Sequence, residues 1–290
     1  MDKINFFLPE FYGNFRLITY LHDWMQDEPQ YFYEDVRIAA VYGCFPGNIW
    51  NGGRVILGSA TRTEIAHVIE EYNRRGIAIR YTYTNPLLER YHVLDTYCNM
   101  CMDMADNGLN EVLVNSPALE SYLREAYPGY RFISSTTKCL GDIEAVREEL
   151  NKDYYLVVLD SALNNTEEMW ELAPKEKIEL IANHYCADNC PRRREHYKAV
   201  AKAQLEYDDS LVFKCENIKR SFQEIQTNCS FISNEDIHGA YREAGFVNFK
   251  LDGRGFKRFK VLESFVYYLV KPEYRDFVRN KISDDLYGRK

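Results

Sequence analysis

Eight short apolar runs recur along this chain, and nearly every one is followed by a segment whose apolar residues return at helical spacing. The first run, Ile4 to Leu8, is stopped by Pro9; Phe15, Ile18, Leu21 and Met25 then mark a helix. Val36 to Phe45 is a second strand, and Thr61 or Thr63 caps a helix that ends near Arg75, before Gly76. Ile77 to Thr84 is a third strand, with a long amphipathic helix expected over Leu87 to Met104. Strands follow at Glu111–Asn115, Arg131–Thr136, Tyr154–Asp160, Ile178–Ala182 and Phe246–Leu251. Helices fall at Pro117–Ala126, Asp142–Leu150 and Thr166–Leu172, then after Pro191 and from Phe259 onward. Eight alternations in 290 residues predict a (β/α)8 TIM-like barrel, a single domain over 1–290. The pattern loosens after Tyr207, which places an insertion at about 207–245, before the last strand. The rival is an open doubly wound sheet, whose dinucleotide form is weakened because no Gly-x-Gly-x-x-Gly follows the first strand.

Hydrophobic residues make up 46% of the chain, enough for a full core without covalent staples. A net charge of −8 argues against a general nucleic-acid surface, although the Arg192–Arg194 run leaves room for a local RNA contact. No basic leader precedes an apolar stretch at Met1–Pro9, and no run approaches the roughly 18 apolar residues of a membrane span. The expectation is therefore a cytoplasmic protein with no membrane association, an unidentified substrate and room for a protein partner. In that setting eight cysteines read as free thiols or metal ligands rather than disulfides. The 23 tyrosines and 16 phenylalanines read first as a core filled with large rings.

Barrel chemistry gathers where strands end at their carboxyl side. Those ends carry Glu10, Cys44, Thr82, Thr84, Asn85, Asn115, Ser134 to Thr137, Asp160, Asn164, Asn183, His184, Cys186, Asp252 and Arg254. Cys186 and Cys190 are four apart and precede a helix start at Pro191, whose amino end favours deprotonated sulfur. We expect them to hold one metal centre with Cys215 and either Cys44 or Cys229, since thiolates suit iron–sulfur iron or zinc. Asn183, His184, Asp160 and Arg254 are the candidate catalytic residues, positioning substrate or moving protons. Cys98, Cys101 and Cys139 read as core thiols. A Cys-x-x-x-Cys-x-x-Cys site is absent, because Arg193 stands at its third place. A zinc-dependent or metal-free hydrolase, the zinc form with Asp160 or Glu10 as base, and a non-catalytic barrel with a structural metal both remain open.

The run Gly245-Phe-Val-Asn-Phe-Lys-Leu-Asp-Gly-Arg254 resembles the Phe-Lys-Ile-Glu-Gly-Arg signature of the collagenase-like peptidase family. The Ile178-Glu-Leu strand leading into cysteines sits where that family has a Glu-x-Phe strand with cysteines after it. The resemblance implies a barrel with a [4Fe–4S] cluster on four cysteines. It also implies a function among peptidases, or among proteins of oxygen-independent hydroxylation of RNA bases or quinone precursors. Cys186 and Cys190 match the close cysteine pair of some members, and Cys44 an early cysteine of others. Lys250 and Arg254 match the late signature, with Asp252 in place of Glu. The fuller cysteine-rich signature is absent, which leaves the fourth ligand open.

Replacing Cys186 or Cys190 with Ser is expected to abolish metal uptake, whereas Cys98→Ser and Cys139→Ser leave it intact. Iron, sulfide and zinc analysis after anaerobic purification reads the outcome directly.

Overall fold

The computed structural model describes residues 3–213, 215, 219 and 221–288. Eight parallel strands close on themselves in sequence order. They are β1 (Ile4–Pro9), β2 (Val36–Gly43), β3 (Ala78–Tyr83), β4 (Glu111–Val114), β5 (Arg131–Ser134), β6 (Leu156–Val158), β7 (Ile178–Ile181) and β8 (Asn248–Lys250). β8 pairs with both β7 and β1, so no strand edge is left open. The barrel expected from the alternation is the observed fold.

Each strand's period of two separates two layers. Phe7, Ala40, Tyr42, Leu113, Ile133, Val158 and Ile181 point inward and fill the barrel. Phe6, Leu8, Val41, Ile79, Tyr81, Val112, Leu180 and Phe249 point outward, into the large core shared with the helices. The rings expected in the core are there, and their hydroxyls are satisfied. Tyr72, Tyr81 and Tyr130 donate to the carbonyls of Phe11, Cys101 and Met102.

The helices in order are α1 (Phe15–Asp27), α2 (Arg62–Arg74), α3 (Thr96–Ala105), α4 (Pro117–Ala126), α5 (Ile143–Leu150), the short α6 (Glu167–Trp170) and α7 (Arg193–Glu206). Thr61 closes α2 with a capping box: its hydroxyl accepts the Glu64 N–H, and the Glu64 carboxylate accepts the Thr61 N–H. The single helix expected over Leu87–Met104 is broken. Arg90–Leu94 forms a 3-10 turn, and Asp95 starts α3 by accepting the Cys98 N–H at 2.7 Å. Residues 207–245 carry α8 (Phe222–Ile225), α9 (Asn234–Asp236) and a π-turn at Ile237–Tyr241. The expected last helix is two, α10 (Arg258–Leu269) and α11 (Arg275–Tyr287), parted at Pro272.

α7 departs from the usual place outside the barrel. Its residues touch the loops after four different strands, so it lies across the mouth. Asn85, beyond β3, donates to Ala201 O, and Arg194 donates to Cys139 O beyond β5. Arg193 pairs with Asp160 beyond β6. Gln204, fully buried, donates to Asn48 O and Ile56 O and accepts the Ile56 N–H, all beyond β2. The sequence cue for this placement is weak, because the buried side of α7 is short: Val200, Ala201, Ala203 and Gln204.

Inside the apolar barrel runs a chain of charge. Fully buried Arg80 donates to Glu111 at 2.7 Å and to Glu179 at 2.5 Å, and its guanidinium lies 3.9 Å from the Phe7 ring centre. Arg131 stands 3.4 Å from Glu111 at one end, and Lys250 3.7 Å from Glu179 at the other. Removing Arg80 leaves two buried carboxylates short of a partner. Arg80→Met is expected to cost about 3–5 kcal/mol of stability in urea unfolding. The double variant Arg80→Met with Glu179→Gln should recover part of that loss.

Candidate active site

A small cavity of about 60 Å³ opens at the carboxyl ends of the strands. It sits where the inward rows of β2, β3 and β8 run out: Tyr42, then Thr82 and Thr84, then Lys250, Asp252 and Arg254. Arg54, Ser135, Thr137, His184 and Tyr197 complete its wall. Among the described residues, several buried polar atoms here have no partner: both ring nitrogens of His184, Asp252 Oδ2 and Thr84 Oγ1. Buried polar atoms are normally paired, so such a concentration marks a place where a ligand or water belongs.

The charges in this chamber are strongly displaced. Burial pulls Lys250 down to about 7, and Arg80 and Arg254 pull the same way against the opposing Glu179 and Asp252. Burial holds His184 at about 4 despite Asp252, whose Oδ2 lies 3.7 Å from Nδ1, so the ring is neutral at neutral pH. Burial works against the Asp252 carboxylate, yet Arg54, His184 and the Gly253 N–H outweigh it and hold its pKa below the usual range. Tyr42 is pushed well up by burial, and its hydroxyl donates to Leu251 O at 2.6 Å.

The Asn51-Gly52-Gly53-Arg54 loop folds back over the mouth and delivers Arg54. A side chain at Gly52 would put Cβ 2.6 Å from the Thr84 carbonyl, and at Gly53, where φ is +75°, 2.6 Å from Arg254 Nη2. Arg254 fastens this loop: it donates to Asn51 Oδ1 at 3.1 Å, Thr82 Oγ1 at 2.9 Å and Gly52 O at 2.8 Å. Arg54 itself is less committed. One amino group donates to Gly53 O, and the other stands 3.7 Å from Asp252.

Beyond a shared wall of Arg54, His184 and Tyr197 lies a cleft of about 750 Å³ beside α7. Cys186, Cys190 and Cys215 line it, with Val55, Leu57, Val200, Val212 and Phe213 as its apolar part. Burial raises the Cys186 thiol to about 11, with Cys190 and Cys215 adding to the rise and Arg193 opposing it. Among the described residues, no group of three or more His, Cys, Asp or Glu side chains is arranged to hold a metal ion.

The residues singled out in the sequence divide. His184, Arg254, Cys186, Cys190 and Cys215 reach the two cavities. Cys44 is fully buried, lines neither cavity, and has its thiol pushed well up by burial and Glu10. Cys229 is exposed; its N–H donates to Asp188. Asn183 is spent on structure, donating to Asp252 O and Ser264 Oγ and accepting the Asp252 N–H at 2.6 Å. Asp160 is spent likewise, accepting from Arg193 and from the Ala162 N–H. The arginine run also has internal partners: Arg192 with Glu195, Arg193 with Asp160, and Arg194 with Cys139 O. Lys250, Asp252, Arg54, Tyr42 and Tyr197 line the chamber as well, beyond the catalytic candidates that the sequence offers. Inward alternation along β2 and β8 was the available signal for Tyr42, Lys250 and Asp252. Arg54 and Tyr197 come from a loop and a helix that only the folded mouth brings in.

No family model matches this chain, and no curated protein matches it. Among solved structures, the U32 peptidase Mk0906 aligns with a TM-score of 0.51 over 89% of this chain and 95% of that one, at 13% sequence identity. The likeness is one of fold, a barrel of similar extent.

Arg254 holds a loop through a planar fork that lysine cannot reproduce. Arg254→Lys is expected to lower stability by about 1.5–3 kcal/mol, as for lost charged hydrogen bonds, read by denaturant unfolding.

Proposed function

We propose that this chain is an enzyme whose chemistry takes place in the chamber at the barrel mouth, with His184 as the proton-transferring group. The observation that carries this reading is His184 itself. It is buried, among the described residues both ring nitrogens lack a hydrogen-bond partner, a carboxylate stands beside Nδ1, and it belongs to the wall between chamber and cleft. An imidazole kept neutral with an orienting acid is suited to take a proton from water and return it to a leaving group. Arg54, with donor capacity to spare, suits a carbonyl or carboxylate oxygen of the substrate. Amide hydrolysis of a peptide is the reaction class that fits. It is supported by the collagenase-like signature at Phe249–Arg254 and by the fold shared with a U32 peptidase.

A second reading rests on a separate observation, the three cysteines lining one cleft. Their softness and shared location suit an iron–sulfur cluster or zinc, with Cys186, Cys190 and Cys215 as the residues that would hold it. Neither Cys44 nor Cys229 lines the cleft, so the fourth donor would come from elsewhere, and the thiols would have to draw together. Such a centre would supply one-electron redox chemistry, or Lewis acidity if zinc. The hydroxylation reading depends on it. As for location, no helix among the described residues is long and apolar enough to cross a membrane.

The deciding experiment assays peptide cleavage by metal-free and metal-loaded protein, with His184→Gln and Asp252→Asn alongside. Hydrolysis by the metal-free protein is expected, with a loss of about 100-fold or more in His184→Gln at unchanged melting temperature. The base must be neutral to act and its pKa is about 4, so the rate should fall as pH drops through about 4, not near 6.5. Full activity in His184→Gln defeats the first reading. Activity confined to protein that carries iron and sulfide favours the second.

A further inference from the structure

Proton transfer at His184 leaves Lys250, the end of the buried charge chain, without a part in the chemistry. Its side chain lies inside the barrel against the chamber, with the residue only 6% exposed. Among the described residues Nζ makes no hydrogen bond. Glu179 Oε1 is 3.7 Å away, and Nζ sits 4.0 Å from the Tyr42 ring centre. A structural lysine is normally tied to a carboxylate at hydrogen-bond distance, as Lys138 is to Glu149 at 2.6 Å. Lys250 is instead a buried amine at the wall of a cavity. The groups that face it are Glu179 on β7, Arg80 on β3, Tyr42 on β2, and Asp252 and Arg254 just beyond β8.

We propose that Lys250 is a covalent amine that condenses with small 2-oxo acids, whose carboxylate is held by Arg54. The chamber supplies both halves of that recognition. Arg54 and Lys250 line the same cavity, and among the described residues Arg54 donates one hydrogen bond, to Gly53 O, whereas Arg254 donates three. At about 60 Å³ the space beside Lys250 suits a compact carbonyl group, with anything larger left to the adjoining cleft. In the step, the Lys250 lone pair attacks the carbonyl carbon and a proton passes from nitrogen to oxygen, giving a carbinolamine. A second proton, from solvent, lets water leave as the C=N⁺ bond forms; nothing is oxidised or reduced. The attack needs the neutral amine. Burial and the two arginines make that form abundant at neutral pH, with the lysine at about 7.

The test uses the unaltered protein with pyruvate, and separately glyoxylate, in the presence of borohydride, followed by digestion and mass mapping. One reduced adduct per chain, on the peptide that contains Lys250, is the expected result. Excess lactate, which offers the carboxylate without the carbonyl, should suppress it. Yield should fall about tenfold per unit of pH below about 7, as the amine protonates. Lys250→Arg should lose the adduct. Because that change can disturb the barrel, the site map on the unaltered chain decides on its own. No adduct with either compound, or adducts spread over exposed lysines and indifferent to lactate, overturns the proposal. Trapping is read without turnover, so a failure of the peptidase reading leaves this result untouched.

Discussion

Arg80, held between Glu111 and Glu179, is the contact on which the barrel interior depends. It joins β3 to β4 and reaches across to β7, while Arg131 and Lys250 extend the same alternation of charge to β5 and β8. A charge in an apolar interior is tolerable only with its partner in place. A slip of one residue in any of these strands would turn its charged member outward and strand the others. The chain of charge therefore specifies the register at least as much as it stabilises it. Its upper end is Lys250, so the interaction that organises the interior also places an ionisable amine beneath the chamber.

That placement explains the electrostatics above. Positive groups converge on the mouth from Lys250, Arg54 and Arg254, against Asp252 and the more distant Glu179. Burial disfavours every charge there, so the group with the fewest good partners gives way. His184 stays neutral and Lys250 loses its proton readily, whereas Asp252, facing Arg54 and a backbone N–H, keeps its charge. One small space thus holds a neutral imidazole, a buried amine and an anchored carboxylate.

α7 gives this mouth its roof. A helix laid over the strand ends needs anchors on several loops, and it finds them in Asp160, Asn85 and the Asn48–Ile56 loop. Polar residues that would otherwise face the open mouth are consumed in fixing the roof. The same helix closes one side of the thiol-lined cleft, so the two cavities share His184, Arg54 and Tyr197 as a common wall. Anything bound in the cleft is therefore next to the His184 ring that also lines the chamber.

The alternation of apolar runs and helical segments determined the barrel, because period-two strands and 3.6-period helices are local properties of the chain. The close spacing of Cys186 and Cys190 likewise ensured that both reach one loop, and the run to Arg254 carried Lys250 and Asp252 to the mouth. Roles were another matter. Asn183, Asp160 and Arg254 have the side chains of catalytic residues and sit at strand ends. Whether such a group is spent on a backbone amide or left free depends on partners distant in sequence: Ser264 for Asn183, Arg193 for Asp160, Asn51 and Thr82 for Arg254. Cys44 lies at a strand end as Cys186 does, yet packing buried it away from both cavities. Only the closed barrel, with α7 across it, decided which polar atoms stayed unpaired, since that is a property of three-dimensional neighbours and not of any stretch of chain.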